Sequence, residues 1–82
     1  MKIILHNPIT PRRGSFPQVG DVYTNAYSYY YKIVLAVVKR DGTRPWKNVV
    51  LLHVAATAEI IGCSMQPELY IRDHQDYVGR VD

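Results

Sequence analysis

The stretch Ser28–Arg40, "SYYYKIVLAVVKR", decides how this chain folds. From Tyr29 onward most positions are β-branched or aromatic, which favours a strand over a helix. With a period of two, Tyr29, Tyr31, Ile33, Leu35 and Val37 make one unbroken apolar face, expected to be the core. The alternate positions Tyr30, Lys32, Val34, Ala36, Val38 and Arg40 are polar only toward the ends, so the second face needs a cover too.

Asp41-Gly42 is a turn signal, and Pro45 keeps the following loop from becoming a strand. Lys47–Ala55, "KNVVLLHVA", then reads as the return strand of a hairpin, again apolar on both faces in its centre. Val34, Ala36 and Val38 with Val49 and Leu51 are expected to form a second apolar patch behind the core face. Three covers fit it: the N-terminal run Ile3-Ile4-Leu5, the C-terminal segment with Leu69 and Ile71, or a second copy in a homodimer. Cover by the chain's own termini is preferred, because both carry short apolar runs with little else to bury.

Outside the hairpin, Pro8, Pro11, Gly14 and Pro17 make residues 1–19 an irregular arm after the short apolar start. Val19-Gly-Asp-Val-Tyr23 looks like a turn feeding a strand. Ala56-Thr-Ala-Glu59 has helical propensity, but Ile60-Ile61 followed at once by Gly62 favours a turn and a third strand over Glu59–Ser64. Pro67-Glu68 can open a helix that Gly79 would close; a helical turn near Asp73–Asp76 with a last strand near Tyr77–Val81 fits equally well. The expectation is one small domain over residues 1–82, with a β-rich body over 20–82. Its fold is mainly β, a strongly bent antiparallel sheet or an SH3-like partly open barrel with one short C-terminal helical turn.

Composition narrows the function classes. The 82 residues are 48% hydrophobic and 21% charged, a folded rather than a disordered balance. The single cysteine excludes an internal disulfide, and no run approaches the roughly 20 apolar residues of a membrane span. The start "MKIILHNPITPRR" is too interrupted for a secretory leader, so a cytoplasmic location is expected. Net charge is +3, and the stretch 39–47, "KRDGTRPWK", carries all of it, while residues 59–82 are acidic.

No motif points to catalysis or to a cofactor. His6, His53, Cys63, His74, Asp73 and Asp76 lack the spacing of a zinc site. Cys63 with His53 or His74 and Asp73 has the residue types of a thiol nucleophile, its base and an orienting acid. The setting Ile60-Ile61-Gly62 instead predicts a buried, inert thiol. The scattered glycines do not form a phosphate loop. A chain this small also has little scope for a closed pocket.

The basic loop is the candidate site. Lys39, Arg40, Arg44, Trp46 and Lys47, with Tyr27 and Tyr30 outside the core face, combine guanidinium forks, an indole and amphipathic rings, side chains that carry energy at protein interfaces. The plainer alternative is a solvated hairpin tip whose charges protect an edge. Arg12, Arg13, Arg40, Arg44 and Trp46 would equally suit a nucleic acid, gripping phosphates and stacking on a base.

The segment "VGDVYTNAYSYYYKIVLAVV" over residues 19–38, followed by "NVVLLHV" and "EIIGCS", resembles small phage and prophage accessory proteins, which tend to show a Gly-Asp entry, paired tyrosines and a valine-rich hairpin. The resemblance covers residues 19–64 and transfers no catalytic or binding residue. It implies a mobile-element protein that binds a host macromolecule, as in countering a defence system. Several such inhibitors are acidic mimics of nucleic acid, and the basic loop departs from that pattern. The expected function is therefore a non-enzymatic interaction protein docking on a host protein, with nucleic-acid binding as the alternative.

Overall fold

The run of branched and aromatic side chains does form the longest strand. In the computed structural model, which describes residues 3–5, 16–24, 30–39 and 46–81, the elements are β1 (Ile3–Leu5), β2 (Asp21–Thr24), β3 (Tyr30–Lys39), β4 (Lys47–Ala55), β5 (Ile60–Pro67), α1 (Glu68–His74) and β6 (Asp76–Val81). The strands make one sheet in the order β1-β6-β2-β3-β4-β5, and every pairing is antiparallel. The chain is thus mainly β with one short helix. Its sheet is open, with β1 and β5 at opposite edges.

β3 and β4 pair from Tyr30↔Ala55 to Lys39↔Lys47, but the register slips between Val34 and Ala36. Leu35 is the extra residue of a β-bulge, and the slip reverses which alternate positions face which way. The expected single face of odd positions is therefore corrected. Tyr31 and Ile33 pack with Val22, Leu52, Val54, Val78 and Val81 on one face. On the other face Val34 and Val37 pack with Tyr23, Val49, Leu51, Ile71 and Tyr77. Leu35 itself is 47% exposed, whereas Val34 is 1% exposed.

This reversal gives adjacent residues opposite weights. Val34→Ala removes two buried carbon groups and leaves a void, an expected loss of about 2 kcal/mol. Leu35→Ala, on a solvated bulge, is expected to stay within about 0.5 kcal/mol of the wild type. Urea unfolding of the two variants decides between this register and the unbroken alternation, which would make Leu35 the costlier loss.

The cover of the Val34–Val49–Leu51 patch comes from the C-terminal segment. Ile71, wholly buried, is the residue of α1 in that cluster. Ala36 and Val38, expected in the same patch, are turned to the other face by the bulge. Ile3–Leu5 does not lie across the sheet but extends it, pairing with β6 from Ile3↔Val81 to Leu5↔Gly79.

Local chemistry explains the punctuation. Gly20 sits at φ +93° in the turn before β2, where a side chain would be strained. Its N–H donates to the Val34 carbonyl at 2.9 Å, and its own carbonyl accepts from the Val81 N–H at 2.7 Å. The turn ending β4 closes through the Ala55 N–H to the Glu59 carbonyl at 2.8 Å, with Ala58 at φ +71°. That left-handed residue stops the alternative helix, so the turn-and-strand reading holds, although β5 runs on to Pro67. α1 begins after Pro67, whose ring fixes φ at −61°. It ends at His74, where the Gln75 N–H reaches the Ile71 carbonyl at 3.2 Å, well before Gly79. β6 then enters between β1 and β2, parallel to β5 with three strands between them.

Candidate interaction surfaces

The β3–β4 register puts Lys39 directly opposite Lys47, and both side chains are exposed. Like charges facing each other across a ladder destabilise it by a few tenths to about 1 kcal/mol. Trp46, half-buried, enters β4 just before Lys47. The Lys47 N–H donates to the buried Glu68 carboxylate at 2.7 Å, tying this end of the hairpin to the first turn of α1. Arg40 and Arg44, which belong to the same loop in sequence, lie outside the described residues, as do Tyr27, Arg12 and Arg13. Tyr30 does not join the basic end. It starts β3 while Lys39 ends it, which separates them by about 30 Å of extended chain.

The thiol reading is also corrected. Cys63 is exposed, not buried. Its register partner is Leu52, while His53 pairs with Gly62, so Cys63 and His53 lie on opposite faces of the sheet. His74 stacks against Tyr70 with ring centroids 5.0 Å apart. Asp73 pairs with Arg72 at 2.8 Å, and that partner holds its carboxyl below the ordinary range. A nucleophile, base and acid are therefore not brought together. Among the described residues no group of three His, Cys, Asp or Glu side chains could hold a metal. Nor is any described helix long and apolar enough to cross a membrane.

A second cluster escaped the sequence reading. Tyr30, Lys32, His53 and Ser64 come from three neighbouring strands and meet on the face that α1 covers. Lys32 is 4% exposed, and its ammonium donates to Gln75 Oε1 at 2.8 Å, just past the end of α1. Lys32 stands opposite His53, whose Nε2 is 2.8 Å from Ser64 Oγ. The Tyr30 ring lies 4.9 Å from the His53 ring and 5.6 Å from the ammonium. Burial pushes the Lys32 pKa down. Burial first, and then the neighbouring Lys32 charge, pushes His53 down as well. The signal available in sequence was Lys32 inside an apolar run and His53 inside the next, which a correct register would have set side by side.

No family model matches the chain, and neither a curated protein nor a solved structure matches it.

Proposed function

We propose that the chain is a non-enzymatic interaction protein that docks on an acidic surface of a partner protein through the basic end of the β3–β4 hairpin. Lys39 and Lys47 are its described charges, Trp46 its apolar anchor, and Arg40 and Arg44 its guanidinium donors. The observation that carries this reading is the Lys39↔Lys47 pair. Two lysines set opposite each other across the ladder work against the hairpin, and an acidic partner turns that cost into attraction. With the resemblance to phage accessory proteins, the partner class is a bacterial host protein, bound to redirect or inhibit it.

The double variant Lys39→Glu/Lys47→Glu separates binding from folding. It keeps a like-charge pair at an exposed site, so stability is expected to change by no more than about 0.5 kcal/mol. Its surface sign is reversed, and capture of bacterial partners by the immobilised protein is expected to fall at least about tenfold, as loss of one or two charge-assisted contacts requires. Trp46→Ala on the wild-type charges is expected to weaken the same partners. Undiminished capture by both variants ends the proposal. Binding that instead tracks added oligonucleotide and collapses between low and high salt would assign the surface to nucleic acid.

A further inference from the structure

Buried charges are normally paired, because an ion taken out of water without a partner costs several kcal/mol. Lys32 departs from that rule. Its ammonium has three donors, and among the described residues it meets one acceptor, the neutral amide oxygen of Gln75. The other groups around it are Tyr23, directly opposite on β2, the Tyr30 ring, His53 and, through His53, Ser64. Asp21, buried on the same face beside Tyr23, accepts from the Gln18 N–H and the Tyr23 hydroxyl. No described carboxylate pairs with it or contributes to its ionisation. Asp76, opposite Thr24, falls on the other face of the sheet, and Glu59 is exposed in the β4–β5 turn. Beside the cluster, Gly62 stands opposite His53 with open space above it, since a Cβ there would meet nothing within 4 Å among the described residues.

We propose that Lys32, His53 and Ser64 form an anion-binding site whose ligand is a single carboxylate group, seated over Gly62 across strands β3, β4 and β5. One carboxylate oxygen accepts from the Lys32 ammonium. The other accepts from the Ser64 hydroxyl or from a ring N–H of His53. Burial and Lys32 keep His53 neutral in the empty site, so the site offers one positive charge. That matches a carboxylate and leaves a phosphate dianion half uncompensated. Binding also removes the repulsion that holds the His53 proton off, so ligand and imidazole proton enter together. The site is independent of the basic hairpin end, which lies about 23 Å along β3 from Lys32.

The test is a titration of the whole protein with sodium acetate, followed by the amide resonances of Gly62 and Ser64 and the imidazole resonances of His53. Sodium chloride at matched ionic strength and acetamide, the neutral isostere, are the controls. Expected are saturable shifts with acetate alone and an upward move of the His53 titration. Lys32→Met is expected to weaken the binding at least about tenfold, the value of one charge-assisted hydrogen bond. Ser64→Ala, at a half-buried position, is expected to weaken it by a smaller factor, and Arg80→Gln, at an exposed position on β6, to leave it unchanged. A short aspartate-containing peptide forms the second arm. Saturation by acetate assigns a free carboxylic acid, and saturation by the peptide alone assigns a carboxylate presented on a partner chain. Equal shifts in chloride, no saturation in either arm, or unchanged affinity in Lys32→Met and Ser64→Ala overturn the site.

Discussion

Ile71→Ala is expected to lower the unfolding free energy by about 2–5 kcal/mol, the usual cost of truncating a fully buried branched side chain. Ile71 has no exposed surface and is the residue by which α1 enters the cluster of Tyr23, Val34, Val49 and Leu51. α1 has only seven residues and no side-chain cap on its N-terminus, so it is too short to persist in water without packing. Losing Ile71 therefore loosens the helix as well as opening a void, and the upper half of the range is expected. An 82-residue chain has a total stability of roughly 4–12 kcal/mol, so toward the low end of that range the loss unfolds a large part of the variant population. Urea denaturation followed by far-ultraviolet circular dichroism reads the effect. A midpoint within 0.3 M of the wild type, about 0.3–0.9 kcal/mol at ordinary urea slopes, would show that the helix does not cover this face.

Lys32→Met is expected to act in the opposite direction. Methionine keeps much of the unbranched stem and removes the ammonium, whose sequestration costs several kcal/mol. The charge-assisted hydrogen bond to the buried Gln75 is lost with it, at a cost of about 1.5–3 kcal/mol, so the net expectation is a gain of no more than about 1 kcal/mol. The pH dependence identifies the cause. A lysine whose folded pKa is pushed down by burial binds fewer protons in the folded than in the unfolded state between that lowered pKa and about 10.4. Stability then rises with pH across that window. The wild type should show this alkaline rise and Lys32→Met should not. His53 follows the same sign in acid: its pKa is also lowered, so stability falls as pH drops below about 6.5 toward the folded value. His53→Gln should flatten that acid limb. A destabilised Lys32→Met protein, or one with the same alkaline slope as the wild type, would show that the ammonium is not held at a cost. A residue that weakens the fold and is kept for binding is the ordinary form of the trade between stability and function.

Much of this architecture was legible from local chemistry. Branched and aromatic runs marked β3 and β4, and Gly20 marked the turn into β2, because each reports a backbone preference of its own neighbourhood. Pro67-Glu68 offered one of two equal readings for the helix, and it is the one α1 follows. The bulge at Leu35 was not legible. No glycine or proline announces it, and it shows only in the register of β3 against β4. That one slipped residue exchanged the core roles of Leu35 and Val34 and sent Ala36 and Val38 to the opposite face. Cys63 misled for a related reason: its apolar neighbours suggest burial, but β5 is an edge strand, and Ile60 and Ile61 beside it are themselves 63% and 57% exposed. The basic hairpin end was visible as composition, and Lys39 and Lys47 do stand together there, whereas Tyr30 belongs to the other end. The Lys32 cluster depends on register between three strands and on where α1 stops, which are relations among distant residues that no local pattern carries.

The pairing of β1 with β6 has a practical consequence for joining this protein to others. Ile3 and Val81 face each other, so a fluorescent label, a solid support or a fused domain joined next to either residue departs from the same corner. That corner is on the margin formed by β1, remote from the Lys32 group near the opposite margin. Attachment next to either residue therefore presents the two candidate surfaces in one common orientation. A short bridge from Val81 to Ile3, with the chain opened at Thr57 in the β4–β5 turn, would give a rearranged chain that keeps the described strand pairings.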